Sequence, residues 1–346
     1  MLGVRRTSRQ GARRAGRAAR RCSLALLAPA TAWLSGCAAE HWQSSLHPAS
    51  EAAERIAGLW WFMFWSLTAV FVLVMVLTGW ALLARPRSNE HQPAVGTKFI
   101  ILGGVVLPTL FAIGLLFYSL EATIAQSREE PDLVIEVTGH RWWWEVRYPQ
   151  LGVVTANEIH LPVGAAVRLD LKSADVIHSF WAPNLQGKRD MFPGLTTSLW
   201  ISAGQAGIYR GQCAEYCGVQ HALMAFTVIA LPREQFDQWA ARRQQAAPEP
   251  SDAAIVRGRE VFLSDRAGCA KCHAIAGTST VVGIAPDLTH LGSRRKLAAA
   301  TIPNTRENLQ AWITNPQAIK PGSLMPRTEL PPEDLRALTL FLGSLD

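Results

Sequence analysis

The chain has 346 residues, 49% of them hydrophobic, and a formal net charge of +7. A chain of this length has room for two or more domains. Residues 1–21 contain eight arginines and no acidic residue. These eight positive charges exceed the net charge of the whole chain. The basic character therefore belongs to the N-terminus, and it excludes the chain-wide basic surface that nucleic-acid binding would need.

Residues 1–36 are predicted to be a secretory signal peptide. An arginine-rich start leads into the apolar run Ser23–Ala28, which is too short to span a bilayer. The leader ends in Leu34-Ser35-Gly36-Cys37, which is similar to a bacterial lipobox. That similarity implies a mature protein that begins at Cys37 with lipid on its thiol. The alternative is an ordinary cysteine beside a plain cleavage site.

Residues 37–126 are predicted to hold a polar N-terminal segment and two transmembrane helices, at about 56–84 and 99–120. Neither apolar run contains a charged residue, and roughly 20 apolar residues are enough to cross a bilayer. The connecting loop contains three basic residues, Arg85, Arg87 and Lys98. The positive-inside rule therefore predicts a cytoplasmic loop, with the chain from about Ser127 onward on the outer face.

Alternating apolar and polar residues, as in Leu133–Thr138 and Val167–Lys172, predict half-buried strands between residues 132 and 230. Short strands separated by proline and glycine are typical of a β-sandwich or β-barrel. Between the first strands lie three adjacent tryptophans, Trp142, Trp143 and Trp144. Because neighbouring residues on a strand point to opposite faces, at least one of these rings is expected at an exposed surface or an interface.

The segment Gly211–Met224 concentrates soft metal ligands in a short stretch. Together with one histidine upstream, the candidate ligands are His178, Cys213, Cys217, His221 and Met224. A closed zinc site takes four ligands and a blue-copper site takes one cysteine, so this set is richer than one metal needs. Two coppers bridged by two thiolates would use all of it. A zinc site, or a disulfide between the two cysteines, is the alternative.

Residues 236–251 are predicted to be a polar, proline-containing linker, although their first half can also extend a preceding helix. Residues 252–346 form a third module around Cys269-Ala270-Lys271-Cys272-His273, the signature of covalent c-type haem. The two thiols attach the haem, and the adjacent histidine becomes its proximal ligand. Met325 is the only methionine after this signature and is the candidate for the opposite ligand, with His290 as its competitor.

The hairpin, the copper-ligand segment and the haem signature together resemble subunit II of cytochrome c oxidase with a cytochrome c fused at the C-terminus, as in caa-type haem–copper oxidases. The resemblance covers nearly all of the chain after the leader. It implies a multi-domain membrane protein with three parts. These are a two-helix transmembrane hairpin, a cupredoxin-like β-barrel at residues 127–235 that holds a binuclear CuA centre, and a small all-α cytochrome c domain.

The resemblance also implies a role for each candidate ligand. Each of the two histidines would bind one copper, and the two cysteines would bridge the pair. Met224 and the backbone carbonyl of Glu215 would be axial ligands, while the Glu215 side chain would reach a magnesium or manganese ion shared with subunit I. Trp142 would receive electrons from cytochrome c. The two tryptophans that follow it are assigned to packing against subunit I or lipid.

The function that the resemblance implies is electron transfer. Electrons would pass from a soluble cytochrome c or a cytochrome bc complex to haem c, then to the copper pair and to haem a of subunit I. Dioxygen would be reduced to water there, coupled to proton translocation. Subunits I and III would be the partners in the bacterial inner membrane, with both redox domains on the periplasmic face. One departure is Ile101, near the position where many relatives have a glutamate that serves proton uptake.

Three other classes of protein are alternatives. A quinol oxidase subunit II shares the hairpin and the barrel but lacks copper ligands, so the complete ligand set argues against it. A copper chaperone would need neither Met224 nor a haem module. A membrane-anchored CuA and haem c carrier for another reductase, such as one for nitrous oxide, would be separated from an oxidase by co-purification with a haem–copper subunit I.

Overall fold

The computed structural model describes residues 43–84, 93–124, 130–246, 249–278 and 284–346. The predicted signal peptide and its Cys37 lie outside these residues. Within them the chain forms a pair of long apolar helices, then two five-stranded sheets, then a helical module. The order of these parts along the chain agrees with the fold class predicted from the sequence.

The first helix, α1 (Glu51–Leu83), begins five residues before the predicted transmembrane run. Ser50 caps it, because its hydroxyl oxygen accepts a hydrogen bond of 3.1 Å from the amide of Ala53 and satisfies one of the free N–H groups of the first turn. The polar first turn therefore belongs to the same helix as the apolar run. Ser50 also donates a 2.5 Å hydrogen bond to the carbonyl of Leu185, which ties the start of α1 to the β-sheet domain.

The second long helix consists of α2 (Pro93–Ile101), a π-helical segment (Leu102–Val106) and α3 (Leu107–Ile124). Proline lacks an N–H and its ring crowds the carbonyl four residues earlier, which for Pro108 is a carbonyl of the π-helical segment. The wider turns there accommodate the proline without ending the helix. The residues Glu51–Leu83 and Gly96–Glu121 are each long and apolar enough to cross a membrane.

The first sheet has the strand order β3-β2-β1-β5-β8, with β1 and β5 parallel and the other neighbours antiparallel. Its strands are β1 (Leu133–His140), β2 (Trp143–Tyr148), β3 (Val153–Ala156), β5 (Val167–Ser173) and β8 (Thr197–Ile201). In β1 every second residue is buried, as the alternating sequence predicts. One face of the sheet therefore covers a core.

The second sheet has the strand order β4-β10-β9-β6-β7, with β4 and β10 parallel. Its strands are β4 (Glu158–Pro162), β6 (His178–Trp181), β7 (Arg189–Met191), β9 (Gly207–Cys213) and β10 (Ala225–Leu231). Residues from both sheets share one core. The ten strands thus form a cupredoxin-like β-sandwich.

Trp144 is fully buried at the centre of this sandwich, so its assignment to packing against subunit I or lipid is wrong. Its ring lies on β2 of the first sheet and meets two phenylalanines of the second sheet, Phe180 at 6.0 Å and Phe226 at 5.2 Å between ring centroids. Trp143, the next residue toward the N-terminus, points the other way and stacks on His140 at 4.3 Å. The alternation of strand faces separates the two rings.

Helix α4 (Arg233–Arg243) occupies the first half of the predicted linker. It buries Phe236, Trp239 and Ala240 against the sandwich, and Trp239 stacks on His160 at 4.3 Å. The boundary predicted at residue 236 is therefore too early. This half of the linker is helical, as the alternative interpretation predicted, because the apolar side of the segment packs against β4.

The C-terminal module contains α5 (Ala253–Leu263), α6 (Arg306–Thr314), α7 (Pro316–Ile319) and α8 (Pro332–Gly343), with a two-stranded sheet of β11 (Lys296–Leu297) and β12 (Ile302–Pro303). Helices α5 and α8 pack on each other, with Phe262 and Phe341 6.1 Å apart between ring centroids. This module has its own core, separate from that of the sandwich.

Candidate metal centre and haem site

The six candidate copper ligands come from one end of the second sheet. His178 is the first residue of β6, and Cys213 is the last residue of the neighbouring strand β9. The antiparallel pairing of these strands places Phe180 opposite Cys213 and so brings the two ligands close. The loop between β9 and β10 supplies the rest and returns through a short 3-10 turn, His221–Leu223.

The ligand atoms of this set converge on one place. The two thiols, Cys213 Sγ and Cys217 Sγ, lie 3.8 Å apart. Each thiol faces one imidazole: Cys213 Sγ is 3.8 Å from His178 Nδ1, and Cys217 Sγ is 3.7 Å from His221 Nδ1. The weaker donors lie at opposite ends, with Met224 Sδ 3.7 Å from Cys217 Sγ and the carbonyl oxygen of Glu215 3.1 Å from Cys213 Sγ.

The surroundings of these atoms are dry. His178, Cys213, Cys217 and Met224 are all buried, and the donor atoms of the first three lie within 4.8 Å of one another. The cysteines are free thiols, so they are not joined as the disulfide alternative requires. The hydrogen bond with Cys217 lowers the pKa of Cys213, and the two thiols lose their first proton as a pair. The chemistry of the set favours a soft metal.

Asp175 orients His178, and the sequence analysis did not single it out. Its Oδ1 lies 2.9 Å from His178 Nε2, which turns Nδ1 of the same ring toward the thiols. Burial acts to raise the pKa of Asp175, but hydrogen bonds from His178 and from the amides of Val176 and Arg141 outweigh it and lower the pKa. The carboxylate therefore stays charged as an acceptor, the usual arrangement behind a metal-binding histidine.

Trp142 contacts the metal-ligand loop directly. It lies in the turn between β1 and β2, and its indole Nε1 donates a 2.9 Å hydrogen bond to the carbonyl of Cys217. The edge of the ring also packs against Gly218, where an added Cβ would lie 3.1 Å from it. Of the three adjacent tryptophans, this is the one that hydrogen-bonds to the metal-ligand loop.

The haem signature presents a histidine in the form that binds iron. Cys269–Lys271 is a short 3-10 turn, and both Cys269 and Cys272 are free and half-buried. His273 Nδ1 donates to the carbonyl of Pro286 at 2.8 Å, which leaves Nε2 as the metal-binding nitrogen. Burial lowers the pKa of His273, so the ring is neutral, as ligation requires.

His290 cannot compete with Met325 for the opposite haem position in this arrangement. Its Nδ1 lies 2.9 Å from the carbonyl oxygen of Asp346, and its Nε2 lies 3.1 Å from that of Arg243. Both ring nitrogens of this buried residue therefore face backbone carbonyl oxygens, and the protonated one donates a hydrogen bond. Met325 is half-buried in the loop after α7, where its backbone carbonyl accepts a 3.3 Å hydrogen bond from Gln317.

Comparison with known proteins identifies the family. A family model of the periplasmic domain of cytochrome c oxidase subunit II matches residues 152–231, and a cytochrome c model matches residues 255–346. The cytochrome c oxidase subunit 2 of Alkalihalophilus pseudofirmus is 33% identical over 335 residues, which cover 91% of this chain and 94% of the relative. The chain belongs to the cytochrome c oxidase subunit II family.

A second curated relative agrees with this assignment, and one solved structure is reported beside it. The cytochrome c oxidase subunit 2 of Bacillus subtilis is 30% identical over 354 residues, which cover 92% of this subunit II chain and 96% of the relative. The solved periplasmic domain of subunit II of cytochrome oxidase from Bradyrhizobium japonicum is 30% identical with a TM-score of 0.33 and covers 33% of this chain and 95% of that one. The chain is thus a membrane-anchored subunit of a cytochrome c oxidase, an electron-transport enzyme.

Family membership implies copper at a CuA centre and haem c, and the residues present fit both groups. Two thiols, two imidazoles, a thioether and a carbonyl oxygen converge in a buried pocket of the sandwich, and this set suits copper better than zinc. In the C-terminal module, two free thiols stand beside a neutral histidine whose Nε2 is available.

Substitution of Gly139 by alanine should weaken copper binding without touching a ligand. Gly139 lies on β1 behind the His178 ring, and an added Cβ would lie 2.8 Å from His178 Cδ2. Asp175 and Cys213 contact the two nitrogens of the ring, so a ring displaced by the new Cβ cannot keep both contacts unchanged. We expect copper retention against a chelator to fall about tenfold, the lower end of the effect of disturbing a ligand's support.

The matched control is Thr138→Ala, one residue earlier on the same strand and on its half-buried face. It should retain copper like the parent protein. Equal copper retention in the Gly139→Ala and Thr138→Ala proteins would contradict the steric account of His178.

Proposed function

We propose that this chain is the electron-accepting subunit II of a terminal oxidase, carrying electrons from an external donor through its own haem c and a binuclear CuA centre to haem a of subunit I. The observation that carries the proposal is the convergence of all six copper donors in a chain that also presents a complete haem c signature. When bound, these groups supply one-electron transfer. The reduction of dioxygen and the proton translocation coupled to it belong to subunit I.

The ligand roles follow from which atoms face each other. His178 and His221 would each bind one copper, since each imidazole faces a different thiol. Cys213 and Cys217 would bridge the two metals, and Met224 and the Glu215 carbonyl would be weak axial donors at opposite ends. The half-buried side chain of Glu215 would hold a magnesium or manganese ion at the boundary with subunit I.

The haem roles rest on the signature and on the ring geometry of His273. Cys269 and Cys272 would form the two thioether bonds, and His273 Nε2 would be the proximal ligand, since Nδ1 is used by Pro286. Met325 would be the opposite ligand. A thioether opposite a histidine raises the haem potential, which suits a carrier that receives electrons from a c-type donor.

The proposed setting is the bacterial inner membrane, with the hairpin crossing it and both redox domains on the periplasmic side. Subunits I and III would be the partners, and a soluble cytochrome c or a cytochrome bc complex the donor. Cys37 would carry lipid after removal of residues 1–36. Ile101 lies in the second long helix, and its aliphatic side chain cannot carry a proton. We therefore do not propose proton uptake at that position.

The test is purification of the complex from its own membranes through a tag on this chain. The proposal requires a haem–copper subunit I in the preparation, two coppers and one haem c on this chain, and one unpaired electron shared between the two coppers in electron paramagnetic resonance. Recovery with another reductase would favour the carrier alternative. A single copper, or zinc, would refute the binuclear site.

Trp142 is proposed to couple the haem domain to the copper loop, and Trp142→Phe tests this role. The variant keeps an aromatic ring but loses the hydrogen bond from Nε1 to the Cys217 carbonyl. We expect haem-to-copper electron transfer in the purified oxidase to slow about tenfold, equivalent to ~1.4 kcal/mol of barrier, the order of one lost hydrogen bond. Flash reduction of haem c followed by absorbance measures this rate.

Trp143→Phe is the matched control, because that ring stacks on His140 and not on the copper loop. Both variants should retain copper and haem. If Trp142→Phe transfers electrons as fast as Trp143→Phe, with copper retained in both, the proposed role of Trp142 is wrong.

A further inference from the structure

A buried lysine of the haem domain is inserted into the copper domain. Lys320 follows α7 and is 4% exposed. Its ammonium donates to two backbone carbonyls of the copper domain, Trp142 O at 3.2 Å and Leu223 O at 2.9 Å. Among the described residues it makes no ion pair within 4.0 Å. Burial lowers the pKa of Lys320 to about 8, which reflects the loss of its hydration.

The copper domain inserts a buried carboxylate into the haem domain in return. Glu158 begins β4 and is also 4% exposed. Its Oε1 accepts a 2.7 Å hydrogen bond from the amide of Arg295. Burial raises the pKa of Glu158, and the amides of Arg295 and Lys296 with the charge of Arg294 offset only part of that rise. Each domain thus places one buried ionisable side chain on backbone groups of the other.

Neutral contacts between these two points complete the interface. Gln220 of the copper loop donates to the carbonyl of Pro321, next to Lys320. An added Cβ on Gly322 would lie 2.8 Å from Val219, so the two loops touch. The amide of Ala225 donates to the carbonyl of Ala299 at 3.3 Å. Gly322 thus lies in a loop of the haem domain that contacts the copper loop. The proposed haem ligand Met325 follows three residues later in the same loop.

The two buried charges are costly unless the domains are docked in one arrangement. A charge taken out of water must be matched by well-placed hydrogen bonds, and here every such bond comes from the opposite domain. If the haem domain shifts, Lys320 and Glu158 either stay buried without partners or have to return to water. An apolar contact would tolerate such a shift. A pair of buried charges discriminates between placements more than it adds affinity.

We propose that Lys320 and Glu158 hold the haem domain on the copper domain in a single placement, and that Lys320 is a positioning residue for electron transfer across Trp142. The surface is an internal docking site, and its partner is the haem domain of the same chain. The second part of the proposal rests on the proposed function, since it requires haem c and copper on this chain. The first part concerns the two domains alone and has its own readout.

Lys320→Met in the purified oxidase tests both parts. Methionine fills similar space but leaves the carbonyls of Trp142 and Leu223 without a donor. We expect the amides of Ala225 and Arg295, which donate across the interface, to exchange with deuterium at least severalfold faster. We also expect haem-to-copper electron transfer to slow at least tenfold, with haem and copper content unchanged. Lys172→Met is the control, because Lys172 is a half-buried lysine whose ammonium pairs with Glu136 of the same domain.

Glu158→Gln is a second, independent variant on the other side of the interface, with the exposed Glu234→Gln of α4 as its control. It should raise exchange at the same two amides. Unchanged exchange in both interface variants would overturn the docking proposal. Faster exchange with an unchanged transfer rate would overturn the positioning role of Lys320. Faster exchange in a protein whose parent shows no haem-to-copper transfer would support docking while refuting the proposed function.

Discussion

Replacement of Cys213 by serine is expected to abolish the binuclear copper centre and to stop oxygen consumption by the complex, while haem stays attached to the chain. Cys213 Sγ contacts three other donors of the site. It lies 3.8 Å from Cys217 Sγ, 3.8 Å from His178 Nδ1 and 3.1 Å from the Glu215 carbonyl. On the proposed bridging role, loss of this thiolate would remove a ligand from both metals at once.

Serine fills nearly the same volume but offers a hard hydroxyl oxygen in place of a soft thiolate. The fold around it should survive, because the buried core of the sandwich is otherwise unchanged. We expect the shared-electron resonance signal to disappear and oxygen consumption to fall by more than about a hundredfold. That exceeds the 10–100-fold effect of losing a residue that only supports a ligand.

Copper content, electron paramagnetic resonance and oxygen consumption of the purified complex measure this outcome. Ala222→Ser is the matched control, since it introduces the same side chain at an exposed position of the same loop. A Cys213→Ser protein that keeps two coppers and the shared-electron signal would contradict the bridging role of Cys213.

Replacement of both Cys269 and Cys272 by serine is expected to have the second large effect. Among the two redox centres, only the haem should be lost. Thioether bonds to these thiols are what would keep haem on the polypeptide under denaturing conditions. Without them, haem staining of the chain on a denaturing gel should disappear, and electrons from an external cytochrome c should no longer reach oxygen. Copper should remain, because the two modules have separate hydrophobic cores.

Lys271→Gln is the control for this experiment, because Lys271 lies between the two cysteines but its side chain is exposed and pairs with Asp265. That variant should carry haem normally. Covalent haem in the double serine variant would refute the assignment of the signature. Loss of copper together with haem would show that the copper domain depends on the haem domain for its fold.

Much of the site could be predicted from the sequence, because its chemistry is encoded within short segments. Five of the six copper donors, including the Glu215 carbonyl, lie between residues 213 and 224, and a loop of this length has to keep them close together. His178 was found through its ligand chemistry, and strand pairing between β6 and β9 placed it beside Cys213. The haem signature and the apolar helices are equally local patterns.

Apart from the linker boundary, the errors and omissions of the sequence analysis concern the direction in which side chains point. Trp144 was assigned to an external surface but lies in the core, because the register of β2 against β1 turns it inward and Trp143 outward. His290 remained a competitor of Met325 until its two nitrogens were found on the carbonyls of Asp346 and Arg243. Asp175 could have been noticed, since an acidic residue three positions before a candidate ligand is a usual supporting group.

The sequence by itself determined the order of the modules, the two long apolar helices and the candidate redox ligands, since each depends on residue types within one short segment. Only the tertiary structure decided how the haem domain sits on the copper domain. Lys320 lies 178 residues from Trp142, and Glu158 lies 137 residues from Arg295. No periodicity or motif links such distant positions, because their contact depends on the packing of two complete domains and on where their backbone carbonyls and amides are left free.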